Sequence, residues 1–136
     1  MDKFYLEKVT QKSDTIIRRS LWKNIDGANH SYYGKEEFKG ALTENYVLNM
    51  LNIVFDNVPN YFTFDRCEID FIIQNKNIII PIEVKSGKSV NNTSLTRYND
   101  KFANDISVRF SLNNLKFDGK IMNFPLYFIE YIYKFI

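Results

Sequence analysis

Residues 67–88 read CEIDFIIQNKNIIIPIEVKSGK, and this stretch decides the fold. Cys67 to Gln74 is rich in β-formers and Ile78 to Lys85 is nearly continuous Ile and Val. Asn75-Lys76-Asn77 between them reads as a tight hairpin turn. If the chain turns on Lys76-Asn77, Asn75 faces Ile78, which places Asp70 opposite Glu83 and Glu68 opposite Lys85. Facing residues of an antiparallel pair project to one side, and side chains alternate with a period of two. Glu68, Asp70, Glu83 and Lys85 are therefore expected to cluster on one face. Cys67, Ile69, Phe71 and Ile73 are expected on the other, beside Ile78, Ile80, Ile82 and Val84. A one-residue slip would mix the two sets.

Working outward, Tyr61 to Asp65 alternates aromatic and polar residues and makes a further strand. Lys35 to Asp56 is the clearest helix, with Ala41, Leu48, Leu51 and Phe55 on one stripe and Val47 and Val54 beside it. Asn57-Val58-Pro59-Asn60 ends it. Downstream, a second amphipathic helix starts near Thr93 or Ser94, with Leu95, Tyr98 and Phe102 inward. Ile106 to Leu112 is then a strand, Asp118-Gly119 a turn, and Leu126 to Ile136 a strand or short helix. Residues 1–35 are the least legible. Ile16, Ile17, Leu21 and Ile25 fit helical spacing, and a polar loop follows that holds His30, the sole histidine.

The 136 residues suit one domain, with 36–136 as its core. A composition of 45% hydrophobic and 25% charged residues, with five Gly and three Pro, excludes a disordered or low-complexity chain. The single cysteine, Cys67, excludes a disulfide framework and a multi-cysteine zinc site, and reads as a small buried hydrophobe. A net charge of +2 is too balanced for nucleic-acid binding by bulk charge, so any DNA contact must come from a local basic rim. Lys88, Arg97 and Lys101 supply the candidates. Lys outnumbers Arg thirteen to five and Asn, Ile, Phe and Tyr abound, which reflects AT-rich coding rather than base-stacking platforms. The first residues hold no apolar run that could serve as a signal peptide. Phe124 to Ile136 is thirteen residues with Glu130 and Lys134 inside it, against the roughly 20 apolar residues a membrane span needs. A reducing, cytoplasmic setting without membrane contact is the expectation.

Two carboxylates in cross-strand contact repel unless a cation sits between them. Oxygen ligands of this kind suit Mg²⁺ or Mn²⁺, held by one or two carboxylates plus waters and substrate phosphate. The Val84 carbonyl lies between the candidate ligands, and Lys85, two residues from Glu83, is placed to position an attacking water. Glu44 has Gly40, Ala41, Val47, Leu48 and Leu51 as helical neighbours, so it lies on the buried stripe, where an ionised carboxylate is expensive unless paired or bound to metal. The plain alternative is a charge cluster on a solvated face, with Glu44 at the stripe's edge and Arg97 and Lys101 merely solvating a helix.

At these residues the sequence resembles the PD-(D/E)XK nuclease superfamily. Asp70 matches its metal-binding Asp, Glu83-Val84-Lys85 its Glu-x-Lys, and Glu44 the Glu often found on its first helix. A closer resemblance covers most of the chain through Gly40 to Val47, Glu68 to Phe71, Pro81 to Lys88, Ser94 to Tyr98, Val108 to Ser111 and Phe124 to Tyr127. These segments are similar to the nuclease-like domain of unknown function at the C-terminus of predicted bacterial and archaeal AAA-type ATPases. Archaeal-type Holliday junction resolvases share the length and motif order more weakly. No Gly-x4-Gly-Lys-Ser/Thr phosphate loop occurs, so no ATP site is expected, and residues 1–35 match poorly.

The resemblance implies an α/β fold of restriction-endonuclease-like type, a mixed sheet flanked by helices in the order helix, three strands, helix, strand. It implies Mg²⁺-dependent hydrolysis of a DNA phosphodiester. Glu44, Asp70, Glu83 and the Val84 carbonyl would hold metal, Asp70, Glu83 and Lys85 would form the catalytic set, and Glu68 could assist. The alternative is a module that binds DNA or a protein partner without hydrolysis, joined to an ATPase in cis if the chain is a fragment. A homodimer is one arrangement left open.

Overall fold

The computed structural model describes residues 35–88, 91 and 93–136. The helix read over residues 16–25, the loop after it and His30 lie outside the described residues. Helix α1 spans Lys35–Phe55. Its inward stripe is Val47, Leu48 and Leu51, at most 3% exposed, with Met50, Val54 and Phe55 packed beside them. The helix stops where Asp56 takes a left-handed φ of 48°, and Pro59 cannot continue it.

Strands β1 (Asn60–Phe64), β2 (Cys67–Asn75) and β3 (Ile78–Val84) then form an antiparallel meander. Asp65 and Arg66 join the first two, both at positive φ (41° and 64°), the two-residue geometry that matches strand twist. The β2–β3 hairpin turns on Lys76-Asn77 in the expected register, pairing Asn75 with Ile78 through to Phe71 with Ile82. Helix α2 (Thr93–Phe102) leads to β4 (Ser107–Ser111), which lies parallel to β3. Two further strands follow that the sequence reading did not resolve: β5 (Lys116–Asp118) and β6 (Ile121–Pro125), turning on Gly119-Lys120, one residue on from the expected Asp118-Gly119. Gly119 sits at φ +60°, a conformation that side chains disfavour. The six strands form one mixed sheet in the order β1-β2-β3-β4-β6-β5. The closing segment Leu126–Lys134, left between strand and helix by its sequence, is a 3₁₀ helix.

Two cores sandwich the sheet. On one side, α1 and the 3₁₀ helix cover Phe71, Ile73, Ile80, Ile82, Val84, Val108, Phe110, Met122 and Phe124. On the other, Leu95 and Tyr98 of α2 cover Phe62, Ile69, Ile72, Ile79 and Ile121. The fold is thus α/β, a mixed sheet flanked by helices, and it contains the expected element order. Among the described residues no helix is long and apolar enough to cross a membrane.

One expectation fails, and the failure locates the site. Ile69 packs on the α2 side with Ile72, whereas Phe71 and Ile73 pack on the α1 side. Residues two apart cannot change faces in a regular strand. The cause is a one-residue register shift between β1 and β2: Phe62 pairs with Ile69 but Asn60 pairs with Ile72. Tyr61 therefore opposes both Asp70 and Phe71, a β-bulge that inverts the alternation. Cys67 and Ile69 accordingly do not share a face with Phe71 and Ile73.

Candidate functional site

Asp70 is the bulge residue. The β2–β3 ladder stops at Phe71–Ile82, so Asp70 with Glu83 and Glu68 with Lys85 are not sheet pairs. Instead Val84 N–H donates to Asp70 Oδ2 at 2.7 Å. Lys85 N–H donates to the Phe110 carbonyl of β4 at 2.8 Å. The alternating amides of β3 therefore aim Val84 at β2 and Lys85 at β4. Because a backbone amide lies in the plane of the sheet, the carboxylate that accepts it sits in the seam between β2 and β3.

Glu83 lies between Ile82 and Val84, both packed on the α1 side, so its side chain leaves the sheet on the α2 side. The single acidic face expected over Glu68, Asp70, Glu83 and Lys85 is therefore divided. Asp70 in the seam feels charges from both sides. Burial pushes its carboxyl up to about 7; Val84 N–H and Lys85 act against this, while Glu44 and Glu83 add to it. Glu44, half-buried on α1, is also raised, first by burial and then by Glu68, with Lys85 opposing. The charge of Glu44 on α1 thus acts on Asp70, and those of Glu68 and Lys85 act on Glu44.

Glu83 is only 6% exposed in an otherwise apolar strand. Its Oε1 pairs with Lys85 Nζ at 3.0 Å. Its Oε2 is buried with no hydrogen bond among the described residues, and Arg109 Nε stands 3.9 Å away. Arg109 was not singled out from the sequence. It is 5% exposed on β4, directly beside Glu83 in the parallel register. Burial lowers its pKa, and Glu83 and Asp118 counter that. Its signal was a lone charge in the buried strand Ser-Val-Arg-Phe-Ser, the counterpart of Glu83 in β3.

Carboxylate oxygens are donors of the kind that Mg²⁺ and Mn²⁺ take, and Glu83 Oε2 has no hydrogen bond among the described residues. The fit is to a site of one or two carboxylates. Among the described residues, no three His, Cys, Asp or Glu side chains stand together so as to hold a metal ion.

A second polar network fixes the loop that leaves β3. Ser111 Oγ donates to Asn123 Oδ1 at 2.7 Å, and Asn123 Nδ2 donates to the Asn113 and Asn114 carbonyls at 3.2 and 2.9 Å. Asn113 Nδ2 donates to the Lys88 carbonyl at 3.0 Å, and Leu112 N–H to the Gly87 carbonyl at 3.4 Å. Lys88 is exposed on this tethered loop. The other two basic candidates are partly engaged. Arg97 Nη1 donates to Cys67 Sγ at 3.3 Å, and Lys101 pairs with Asp65 and lies 5.6 Å from the Phe64 ring centre. Both contacts are at the β1–β2 turn, the same sheet end as Val84 and Lys85.

No curated protein and no solved structure matches this chain. One family does, over residues 39–129, and its match runs from the second turn of α1 through every strand and into the 3₁₀ helix. Glu44, Asp70, Glu83, Lys85 and Arg109 all fall inside it. The chain belongs to the family described as Domain of unknown function (DUF4143), a domain found with AAA ATPases.

Proposed function

We propose that the domain is a Mg²⁺- or Mn²⁺-dependent hydrolase of DNA phosphodiesters, with a restriction-endonuclease-like core. The observation that supports this most is Asp70. It is held in the β2–β3 seam by Val84 N–H, with Glu44, Glu83 and Lys85 acting on its charge. A bulge that aims a carboxylate into a strand junction is a feature found beside active sites. Asp70, Glu83 and the Val84 carbonyl would hold the cation, with Glu44 and Glu68 assisting from α1's side. When bound, the ion would polarise the phosphate and lower the pKa of a bound water. Lys85 in turn would move from Glu83 to the water or to the developing phosphate charge.

One observation favours a second reading, a DNA- or protein-binding module working beside an ATPase. Glu83 already faces two cations, and no three-carboxylate group forms among the described residues. The test is cleavage of plasmid and oligonucleotide DNA by the purified chain with Mg²⁺ or Mn²⁺, alongside Lys85→Ala and Glu83→Gln. Cleavage lost in both variants supports hydrolysis. Equal cleavage by all three points to a contaminating nuclease, and DNA binding without cleavage selects the module.

A further inference from the structure

The geometry points to Arg109 as a positioning residue that sets how tightly the Glu83 carboxylate takes a divalent cation. This inference rests on the metal site proposed above and adds the device that tunes it. At Glu83 one negative charge faces two positive ones: Lys85 Nζ at 3.0 Å on Oε1 and Arg109 Nε at 3.9 Å from Oε2. Lys85 is a third exposed and can swing away, but Arg109 is 5% exposed between β3 and β6 and cannot. A buried Arg–carboxylate pair kept only for stability is expected to close into short, paired hydrogen bonds, because an unbonded buried oxygen is costly. Here Oε2 has no hydrogen bond among the described residues. Arg109 therefore supplies charge to Glu83 while leaving a lone pair open, and it competes with any cation arriving at that oxygen. A nucleic-acid phosphate entering with the cation would offset the competing charge. The chain alone is thus a weak cation site, and the tuning residue lies on β4, outside the Asp70 and Glu83-Val84-Lys85 motif.

The experiment is a calorimetric titration of the full chain with Mn²⁺ alone, for the parent, Arg109→Gln and Arg109→Lys, with a thermal melt of each. Removing a unit charge beside the ligand oxygen is expected to tighten Mn²⁺ binding about tenfold or more in Arg109→Gln, while Arg109→Lys stays near the parent. A purely structural Arg109 would lower the melting temperature of both variants without raising affinity. Parent-like Mn²⁺ binding by folded Arg109→Gln therefore overturns the inference and leaves the metal site standing. If neither form binds Mn²⁺, the metal site falls and the inference with it. Should Arg109→Gln fail to fold, the ¹⁵Nε resonance of Arg109 in the parent decides. A shift on saturation with Mg²⁺ supports direct competition at Glu83, and an unmoved resonance overturns it.

Discussion

Replacing Asp70 by Asn tests the physics of the seam without presuming any reaction. Asn keeps the shape of the side chain and an oxygen that can accept Val84 N–H, but it removes the charge. In the folded chain burial raises the Asp70 carboxyl from 3.8 to about 7, so the proton is held more tightly than in the unfolded chain. A raised value means that the stabilisation is complete below about 4 and is lost as pH rises towards 7. At about 1.4 kcal/mol per pH unit, the gap between 3.8 and about 7 corresponds to about 4 kcal/mol, an upper bound because buried sites relax and admit water. Asp70→Asn is accordingly expected to be more stable than the parent by about 2–4 kcal/mol at pH 8 and by almost nothing near pH 4. For a domain of this size that is roughly 6–15 °C in melting temperature at pH 8.

The assay is urea unfolding of both proteins between pH 4 and pH 8.5, in a chelator and then in excess Mg²⁺. A cation that needs ionised Asp70 should recover part of the loss in the parent and none in Asp70→Asn. Parallel stability curves across this range would show that the carboxyl titrates alike folded and unfolded, and would overturn the raised Asp70 value. A variant less stable at pH 8 would show that the charge itself holds the seam together.

Three further outcomes are expected. Lys85→Ala should keep the fold and cation binding but lose about 10²-fold or more in cleavage rate, because a water-positioning group acts in the transition state. Asn123→Ala should cost roughly 2–3 kcal/mol in urea unfolding, since it strands the Ser111 hydroxyl and two carbonyls. It should also raise amide exchange at Leu112, which is bonded to the Gly87 carbonyl. DNA affinity should fall with salt at a log–log slope of only about −2 to −4. Lys88→Ala should reduce that slope by about 1, whereas Lys101→Ala should change it less, because Lys101 already pairs with Asp65.

The parts that could be read from the chain are those set by short-range geometry. The Lys76-Asn77 turn fixes the β2–β3 register by counting alone, and the pairing follows it for five residue pairs. The inward stripe of α1 is legible because helical spacing separates Leu48 and Leu51 from the exposed Leu42 and Ile53. The bulge is not legible. Cys67, Ile69, Phe71 and Ile73 alternate without a flaw, and Ile72 beside Ile73 carries no parity signal in a strand buried on both faces. Glu83 beside Arg109 is hidden for another reason. The β3–β4 connection passes through α2, so no tight turn fixes the parallel register, and only the lone charge in each buried strand hints at the pairing. Of the β5–β6 hairpin only a turn near Asp118-Gly119 is legible, because β5 is three exposed residues with no apolar period.

The bulge and the candidate site are one feature. If the hairpin ladder ran on past Phe71, the Val84 amide would face the Ile69 carbonyl, and Asp70 would project from a regular strand. The extra residue opposite Tyr61 turns Ile69 towards α2 and leaves that amide to the Asp70 carboxylate. A hydrogen bond from an amide N–H to a charged acceptor is worth roughly 1.5–3 kcal/mol, enough to fix the side chain against rotation. Pro81 does not weaken the strand that carries this arrangement. Its missing N–H would point towards β4, and the β3–β4 pairing begins only at Ile82. The backbone therefore holds Asp70 where fields from α1 and from β3 meet, and its protonation responds to both. An acid fixed in this way loses its proton near neutral pH, or sooner when a cation arrives to replace it.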